Sequence, residues 1–355
     1  MKIAVVAPAR FPIREPYAGG LEAFCGLLVR GLRARGHTVD LYAARGSEGH
    51  RRDLEFPGVD WSGTQLPPTD HTLPPGQREL DDAAFRALRD HLEAGDYDVV
   101  HNNSLHPELL RSTTLPLVTT LHCPVIPDMA AAMADTTSVV TAVSRAVTST
   151  WTFPGDPVII PNCVDEEIWT YGAGGRGALW FGRLTPEKAP HLAIDAARQA
   201  GLPLTVVGRR ADPLYWETEL APRSGPDVTW RAPMRHSELA ALVGRASVVA
   251  VTPMWEEPFG LVAIEAMATG TPVAAFARGG LAEVLAPAPS VMVRPGDVHD
   301  LATGLRLAAS IPRREVADYA REHFSLRRFL DDYLDLYRRI AESHTARQPL
   351  REVAP

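Results

Sequence analysis

Short apolar runs alternate with segments of helical period along almost the whole chain. Lys2–Ala7 is β-branched and apolar. Leu21–Arg35 follows with apolar residues at 21, 24, 27, 28 and 32 and stops at Gly36. Strands that are apolar on both faces need cover on both sides, and a helix after each strand supplies it. The alternation therefore predicts a parallel α/β sheet. Further strands are expected at Thr38–Ala43, Asp98–His101, Pro116–Leu121, Val139–Val143 and Val158–Ile160, with helices over Gln77–Glu93 and Ser144–Trp151. Segment 57–78 interrupts the pattern with Pro57, Pro67, Pro68, Pro74 and Pro75 and reads as a long surface loop.

A glycine-rich stretch, Tyr171–Gly177, ends this series, and a second alternation begins after it. Its strands are expected at Ala178–Phe181, Pro203–Val207, Ser247–Val251, Val273–Phe276 and Val291–Val293. Its helices are expected at His191–Ala200, Ser237–Arg245, Gly260–Thr269 and Val298–Ala309. Two α/β units joined near 170 suit 355 residues at roughly 100–200 residues per domain. The last helix, Leu326–Glu342, has apolar residues at 326, 329, 330, 333, 334, 336, 337 and 340, a stripe able to pack back on the first unit. Open parallel sheets bind ligands outside the carboxyl ends of their strands, so two facing sheets predict a cleft between them.

Composition narrows the function classes. Hydrophobic residues make up 45% and charged residues 22%, which excludes a disordered chain, a collagen-like fibre and a coiled coil. Three cysteines, Cys25, Cys123 and Cys163, without C-x-x-C spacing, argue against a disulfide framework and for a cytoplasmic location. No apolar run approaches the roughly 18 residues of a membrane span, and the apolar stretch at Lys2–Ala9 is too short for a signal peptide. Net charge is −7; residues 1–170 hold 14 basic and 22 acidic residues and carry −8, while the remainder carries +1. That distribution argues against nucleic acid and against anionic lipid. Lysine occurs only at Lys2 and Lys188, so a lysine inside a motif is worth examining.

The densest constellation is W-E-E-P-F-G-L-V-A-I-E-A-M-A-T-G, ending at Gly270. Pro258 keeps Glu257 out of helical geometry, and a helix is expected from Phe259–Gly260 to Gly270. Glu257 then lies in the loop before the helix, and Glu265 lies inside it. The free N–H groups of Gly260, Leu261 and Val262 make an anion site at the helix start, where the carboxylates can accept from sugar hydroxyls. The plainer alternative is a capping Glu257 and a solvated Glu265. In W-F-G-R-L-T-P-E-K, Arg183 and Lys188 follow a strand end and suit a diphosphate without a metal; a charge cluster at a helix start is the alternative. Gly19–Gly20 opens another helix, where a tight turn competes with backbone binding of a ligand. His122 is expected at a strand's carboxyl end facing the same cleft, although a lone histidine there is more often structural, and His101 and His106 read as structural. Gly279–Gly280 with Glu283 is either a further site turn or a plain turn with a capping acid. The chain lacks the dinucleotide G-x-G-x-x-G, the P-loop and zinc spacings. Asp96-Tyr97-Asp98 has the D-x-D form but reads as a strand boundary.

These residues resemble retaining glycosyltransferase family 4, of the two-domain GT-B fold. The resemblance rests on G-G-L-E (19–22), D-V-V-H (98–101), V-T-T-L-H (118–122), V-S-R-A-V (143–147), I-P-N-C-V-D (160–165), F-G-R with Lys188, and E-P-F-G-L-V-A-I-E-A-M-A-T-G-T-P-V (257–273). It implies two Rossmann-like domains facing across a cleft. Residues 1–170 would bind the acceptor, 171–325 the nucleotide-sugar donor, and helix 326–345 would return to the N-terminal domain. It also implies a catalytic set of His122, Glu257, Arg183 and Lys188. Donor contacts would come from Gly19, Gly20, Arg183, Lys188, Met234, Glu257, Phe259, Gly260, Leu261, Val262 and Glu265. In that scheme Arg183 and Lys188 hold the diphosphate, Glu257 the sugar hydroxyls and Glu265 the ribose. Met234 offers backbone to the base, and His122 lies near the anomeric carbon.

The implied function is retaining, metal-independent transfer of a hexosyl group from a UDP- or GDP-sugar to a hydroxyl of a small polar or natural-product acceptor. No cofactor, metal, nucleic acid or strong membrane association is expected. The acidic first half suggests a polar, even cationic, acceptor such as an amino sugar. A sugar-nucleotide epimerase or hydrolase on the same fold is the alternative, marked by free sugar released without an acceptor. A non-catalytic binding module is a third reading, which turnover would exclude. Two departures from the family pattern are Cys163 in place of glycine and Arg209–Arg210 after Val207-Gly208.

Overall fold

The computed structural model describes residues 1–62, 64, 69, 70 and 72–347. Among them, twelve strands form two parallel sheets of six. The first sheet holds β1 (Lys2–Val6), β2 (Thr38–Tyr42), β3 (Val99–Asn102), β4 (Leu117–Leu121), β5 (Val139–Ala142) and β6 (Val158–Ile159). Helices α1 (Gly20–Ala34), α2 (Gln77–Glu93), α3 (Pro127–Ala134) and α4 (Arg145–Thr148) lie between these strands in the chain. The second sheet holds β7 (Ala178–Phe181), β8 (Leu204–Val207), β9 (Val228–Arg231), β10 (Val248–Val251), β11 (Val273–Phe276) and β12 (Val291–Val293). Its helices are α5 (Pro190–Ala200), the single turn α6 (Pro213–Tyr215), α7 (His236–Val243), α8 (Leu261–Ala268), α9 (Gly279–Leu285) and α10 (Val298–Ala308). Helices α11 (Arg313–His323) and α12 (Leu326–Arg347) close the described chain.

Side chains alternate across each strand, and both faces of the central strands are covered. Ile3 and Val5 of β1 join Phe24, Leu28 and Leu32 of α1, whereas Ala4 and Val6 join Phe85, Leu88 and Leu92 of α2. Helix α12 does return to the first sheet. Phe329, Tyr333 and Tyr337 are buried in that core, and the Tyr337 hydroxyl lies 2.6 Å from His101 Nδ1. His101 Nε2 in turn lies 2.7 Å from Thr120 Oγ1, so this histidine is structural, as its sequence context suggests.

The sheet orders are β2-β1-β3-β4-β5-β6 and β12-β11-β10-β7-β8-β9. Counted from its own first strand, the second sheet runs 6-5-4-1-2-3, the order of a dinucleotide-binding sheet. The chain reverses direction across each sheet once, between β1 and β3 and between β7 and β10. A crevice opens at the carboxyl ends on both sides of such a point.

The structure adds elements that periodicity missed. β9 alternates in exposure at a sheet edge, and Pro127–Ala134, Arg313–His323 and 213–223 carry helical turns. The helix expected over Ser144–Trp151 is only Arg145–Thr148, capped by Ser144 Oγ, which accepts from Val147 N.

Candidate functional site

The two strongest sequence motifs lie about seventy positions apart, and sheet order brings them together. β7 and β10 are neighbours at the reversal point, so the loops that follow them, 182–189 and 252–260, share one edge. Lys188 Nζ donates to Glu257 Oε2 at 2.6 Å, and the Trp255 indole N–H donates to the same oxygen at 2.8 Å. Oε1 of Glu257 has no hydrogen-bond donor among the described residues. The Lys188 ammonium also lies 5.0 Å from the Trp255 ring centre. Lys188 is fixed from behind: Thr252 Oγ1 donates to its carbonyl at 2.8 Å and accepts from Trp180 Nε1 at 3.0 Å. Its neighbour Ala189 sits at φ 45°, a left-handed conformation that strains a residue with a Cβ. Such strain persists where surrounding contacts over-determine it, commonly beside a ligand.

Gly260 lies at φ 90° immediately before α8, and a Cβ there would approach Leu281 Cδ1 to 2.4 Å. Glycine is therefore required both by conformation and by space. The first N–H groups of α8 have no partner within the helix and face the cleft beside Lys188. Helix α1 presents its own start, Gly19–Gly20, from the opposite sheet.

Arg183 does not stand alone. Its Nη1 lies 2.8 Å from Asp70 Oδ2 and its Nη2 lies 3.3 Å from Glu187. Arg209 Nη2 donates to both Asp70 oxygens at 2.8 Å, and its guanidinium lies 5.1 Å from the Phe11 ring centre. Asp70 belongs to the segment expected as a surface loop, yet its side chain is 7% exposed and sits between the two sheets. The correction has an electrostatic cause: a carboxylate gains more between two guanidiniums than in water. Burial alone would raise its pKa, but the bonds from Arg183 and Arg209 hold it below the ordinary carboxylate value.

All twelve site residues named from the sequence border one cavity of about 440 Å³. The structure sorts their roles. Phe259 is buried in the core with its ring edge-on to Phe324. Met234 is half-buried at the rim near β9. Glu265 is buried with no protein donor facing its carboxyl group among the described residues, and burial pushes its pKa up to about 8. A hydroxyl ligand that donates there would supply the missing partner. His122 Nε2 lies 2.8 Å from Asn103 Oδ1, which assigns the proton to Nε2 and leaves Nδ1 as an acceptor. Burial lowers its pKa to about 3, so the ring is neutral near pH 7.

Gly279–Gly280 and Glu283 join the lobes. Glu283 accepts from Arg145 N and Ala146 N at 3.2 and 3.1 Å and so caps α4 of the other lobe. Gly280 N donates to Glu257 O at 2.7 Å, and a Cβ on Gly280 would lie 2.0 Å from Pro258 O. Asp96 and Asp98 both bond Lys2 at the amino edge of the first sheet, away from the cleft. His106 bonds Asp82. Among the described residues no His/Cys/Asp/Glu group is arranged to hold a metal ion. No described helix is long and apolar enough to cross a membrane. Sequence reasoning missed Asp70, Arg10, Glu22 and Trp255 as cavity residues. Arg209 is visible in the sequence only as a departure from the family pattern.

Comparison with known proteins agrees with this geometry. Residues 18–168 match the family model Glycosyltransferase Family 4, and residues 174–323 match Glycosyl transferases group 1. A D-inositol 3-phosphate glycosyltransferase of Geodermatophilus obscurus is 30% identical over 97% of this chain and 91% of its own. Sucrose-phosphate synthase from Thermosynechococcus elongatus superposes with TM-score 0.77 at 20% identity, covering 96% of this chain and 99% of that one. Anabaena Alr3699/HepE, solved in complex with UDP-glucose, gives TM-score 0.68 at 20% identity over 98% and 100% of the two chains.

Proposed function

Because the chain belongs to glycosyltransferase family 4, a GT-B glycosyltransferase family, we propose that it moves a hexosyl group from a UDP- or GDP-sugar to a hydroxyl of a small polar or natural-product acceptor, with retention and without a divalent metal. The observation that carries this reading is the convergence of Arg183, Lys188 and the start of α8 on one cavity with Glu257. UDP-glucose in the HepE complex supports a nucleotide-sugar donor and makes UDP the first base to test.

Breaking the anomeric C–O bond places its electron pair on the diphosphate. Arg183, Lys188 and the α8 N–H groups lie where that charge grows, and one such preplaced donor supplies roughly 3–4 kcal/mol. Positive charge develops on the sugar ring while Glu257, held by Lys188 and Trp255, offers Oε1 to sugar hydroxyls. The acceptor oxygen attacks from the face the diphosphate leaves, and its proton passes to the departing phosphate oxygen. His122 is too weak a base for that proton but can accept a hydroxyl hydrogen bond through Nδ1. Glu265, protonated or not, takes a ribose hydroxyl.

Thermal-shift titration with UDP-, GDP-, ADP- and dTDP-sugars tests the donor class. Product analysis then tests retention, and EDTA should leave turnover intact. Free sugar formed at the same rate with and without acceptor, or turnover lost on chelation and restored by Mg²⁺ or Mn²⁺, would overturn the reading.

A further inference from the structure

The carboxylate of Asp70 occupies a place in the donor cleft where an anion belongs. Its Oδ2 lies 2.8 Å from Arg183 Nη1 and 2.8 Å from Arg209 Nη2. One oxygen therefore touches both guanidiniums, and any anionic oxygen that replaces it meets both. Arg209 also has capacity left over: its Nε is buried and has no acceptor among the described residues. Its guanidinium carbon lies 5.1 Å from the Phe11 ring centre, so the group is positioned rather than free.

The segment that brings Asp70 is docked from the first lobe. Arg10, in the loop after β1, donates through Nη2 to the carbonyls of Thr69 and Thr72, on either side of Asp70, at 2.5 and 2.7 Å. Arg183 and Arg209 thus hold the carboxylate while Arg10 holds the backbone on either side of it, and the buried Glu22 borders the same cavity. A diphosphate carries more charge than a carboxylate and has more acceptor oxygens. It cannot share Arg183 with Asp70 without like-charge repulsion in a buried site.

Resting on the donor reading above, we propose that Arg209 is a third cation of the diphosphate seat, beside Arg183 and Lys188, and that Asp70 fills the seat until a donor displaces it. Arg209 is then a binding residue peculiar to the basic pair after Val207-Gly208, and Asp70 is an internal competitor. The competition reduces apparent donor affinity by the fraction of time the seat is open. A seat open one-tenth of the time gives about a tenfold weaker apparent affinity than an unplugged one.

The test measures binding of inorganic pyrophosphate and of UDP by calorimetry to the full-length wild type, Asp70→Asn, Asp70→Asn/Arg209→Ala and Arg183→Ala, together with donor KM and kcat. Asp70→Asn is expected to tighten both ligands about five- to tenfold and to lower donor KM with kcat held within twofold. In the Asp70→Asn background, adding Arg209→Ala is expected to weaken pyrophosphate at least fivefold. Thermal midpoints within a few degrees of wild type show that each variant is folded; Asp70→Ser replaces Asp70→Asn if that variant is unstable. Unchanged or weaker binding by the Asp70 variants would overturn the competitor role. Unchanged pyrophosphate binding on adding Arg209→Ala would overturn the third cation. If the donor reading itself fails, the pattern differs: no nucleoside diphosphate binds the wild type and Arg183→Ala has no effect.

Discussion

On the second-sheet side of the cleft, charges pair within one lobe as well as across to Asp70. Lys188 pairs with Glu257, Arg183 reaches Glu187 four positions on, and Trp255 and Thr252 fix the loop that carries them. On the first-sheet side, the groups that reach the cavity come from the loop after β1, the start of α1 and further loops, and some of their contacts cross to the other lobe. Arg10 holds the Asp70 segment, Asp70 holds two arginines of the other lobe, and His122 leans on Asn103. The second sheet's cations are thus paired within their own lobe as well as across the cleft, whereas the first sheet's side is tied to residues of both lobes.

Breaking the second-sheet side should have the largest effect. Arg183→Ala is expected to lower kcat/KM by 10²–10³-fold, roughly 3–4 kcal/mol, in steady-state assays with saturating acceptor. A loss within twofold would mean that the seat lies elsewhere. Next comes the joint between the lobes. Gly280→Ala places a Cβ against Pro258 O and Ser144 Oγ, at 2.0 and 2.5 Å before any shift. It should cost about 1–3 kcal/mol in urea unfolding. Because the same loop carries Glu257, donor affinity should fall as well, and stability lost without any change in donor KM would separate joint from seat.

Glu283→Ala removes the acid that caps α4 across the lobes, a loss of about 1 kcal/mol by analogy with helix caps. Chemical denaturation should detect it with the m-value unchanged. The smallest effect concerns Glu265. Its folded pKa of about 8 lies above the ordinary carboxyl value, so the fold favours the protonated form. Its contribution to stability is therefore full in acid and is lost as pH rises through about 8. Wild type should lose more of its melting temperature between pH 5 and 9 than Glu265→Gln, and parallel curves would show that the carboxyl is not desolvated.

Most strands are legible as short apolar runs: Ala178–Phe181, Val273–Phe276 and Val291–Val293 appear with the boundaries that the sequence suggests. β9, Val228–Arg231, is not, since an edge strand with exposed Thr229 and Arg231 has no apolar run to mark it. Arg183, Lys188, Glu257 and Glu265 were readable because short loops after adjacent strands keep them in fixed spacing. What joins the two motifs, the pairing of β7 with β10, is a long-range fact that no local pattern encodes. Asp70 could not be found at all. It lies among prolines without a period, and its partners Arg183 and Arg209 are more than a hundred positions away.

The return of α12 to the first sheet has a consequence for how these lobes can be separated. Phe329, Tyr333 and Tyr337 complete a core whose other walls are strands from the opposite end of the polypeptide. The backbone therefore passes between lobes twice, near 170 and again near 324, where Val164 N meets Phe324 O at 2.9 Å. One proteolytic nick near 170 would not free either half, and an excised 1–170 fragment would expose the apolar groove that α12 normally fills. An isolated first lobe should need that helix spliced onto it by a short bridge.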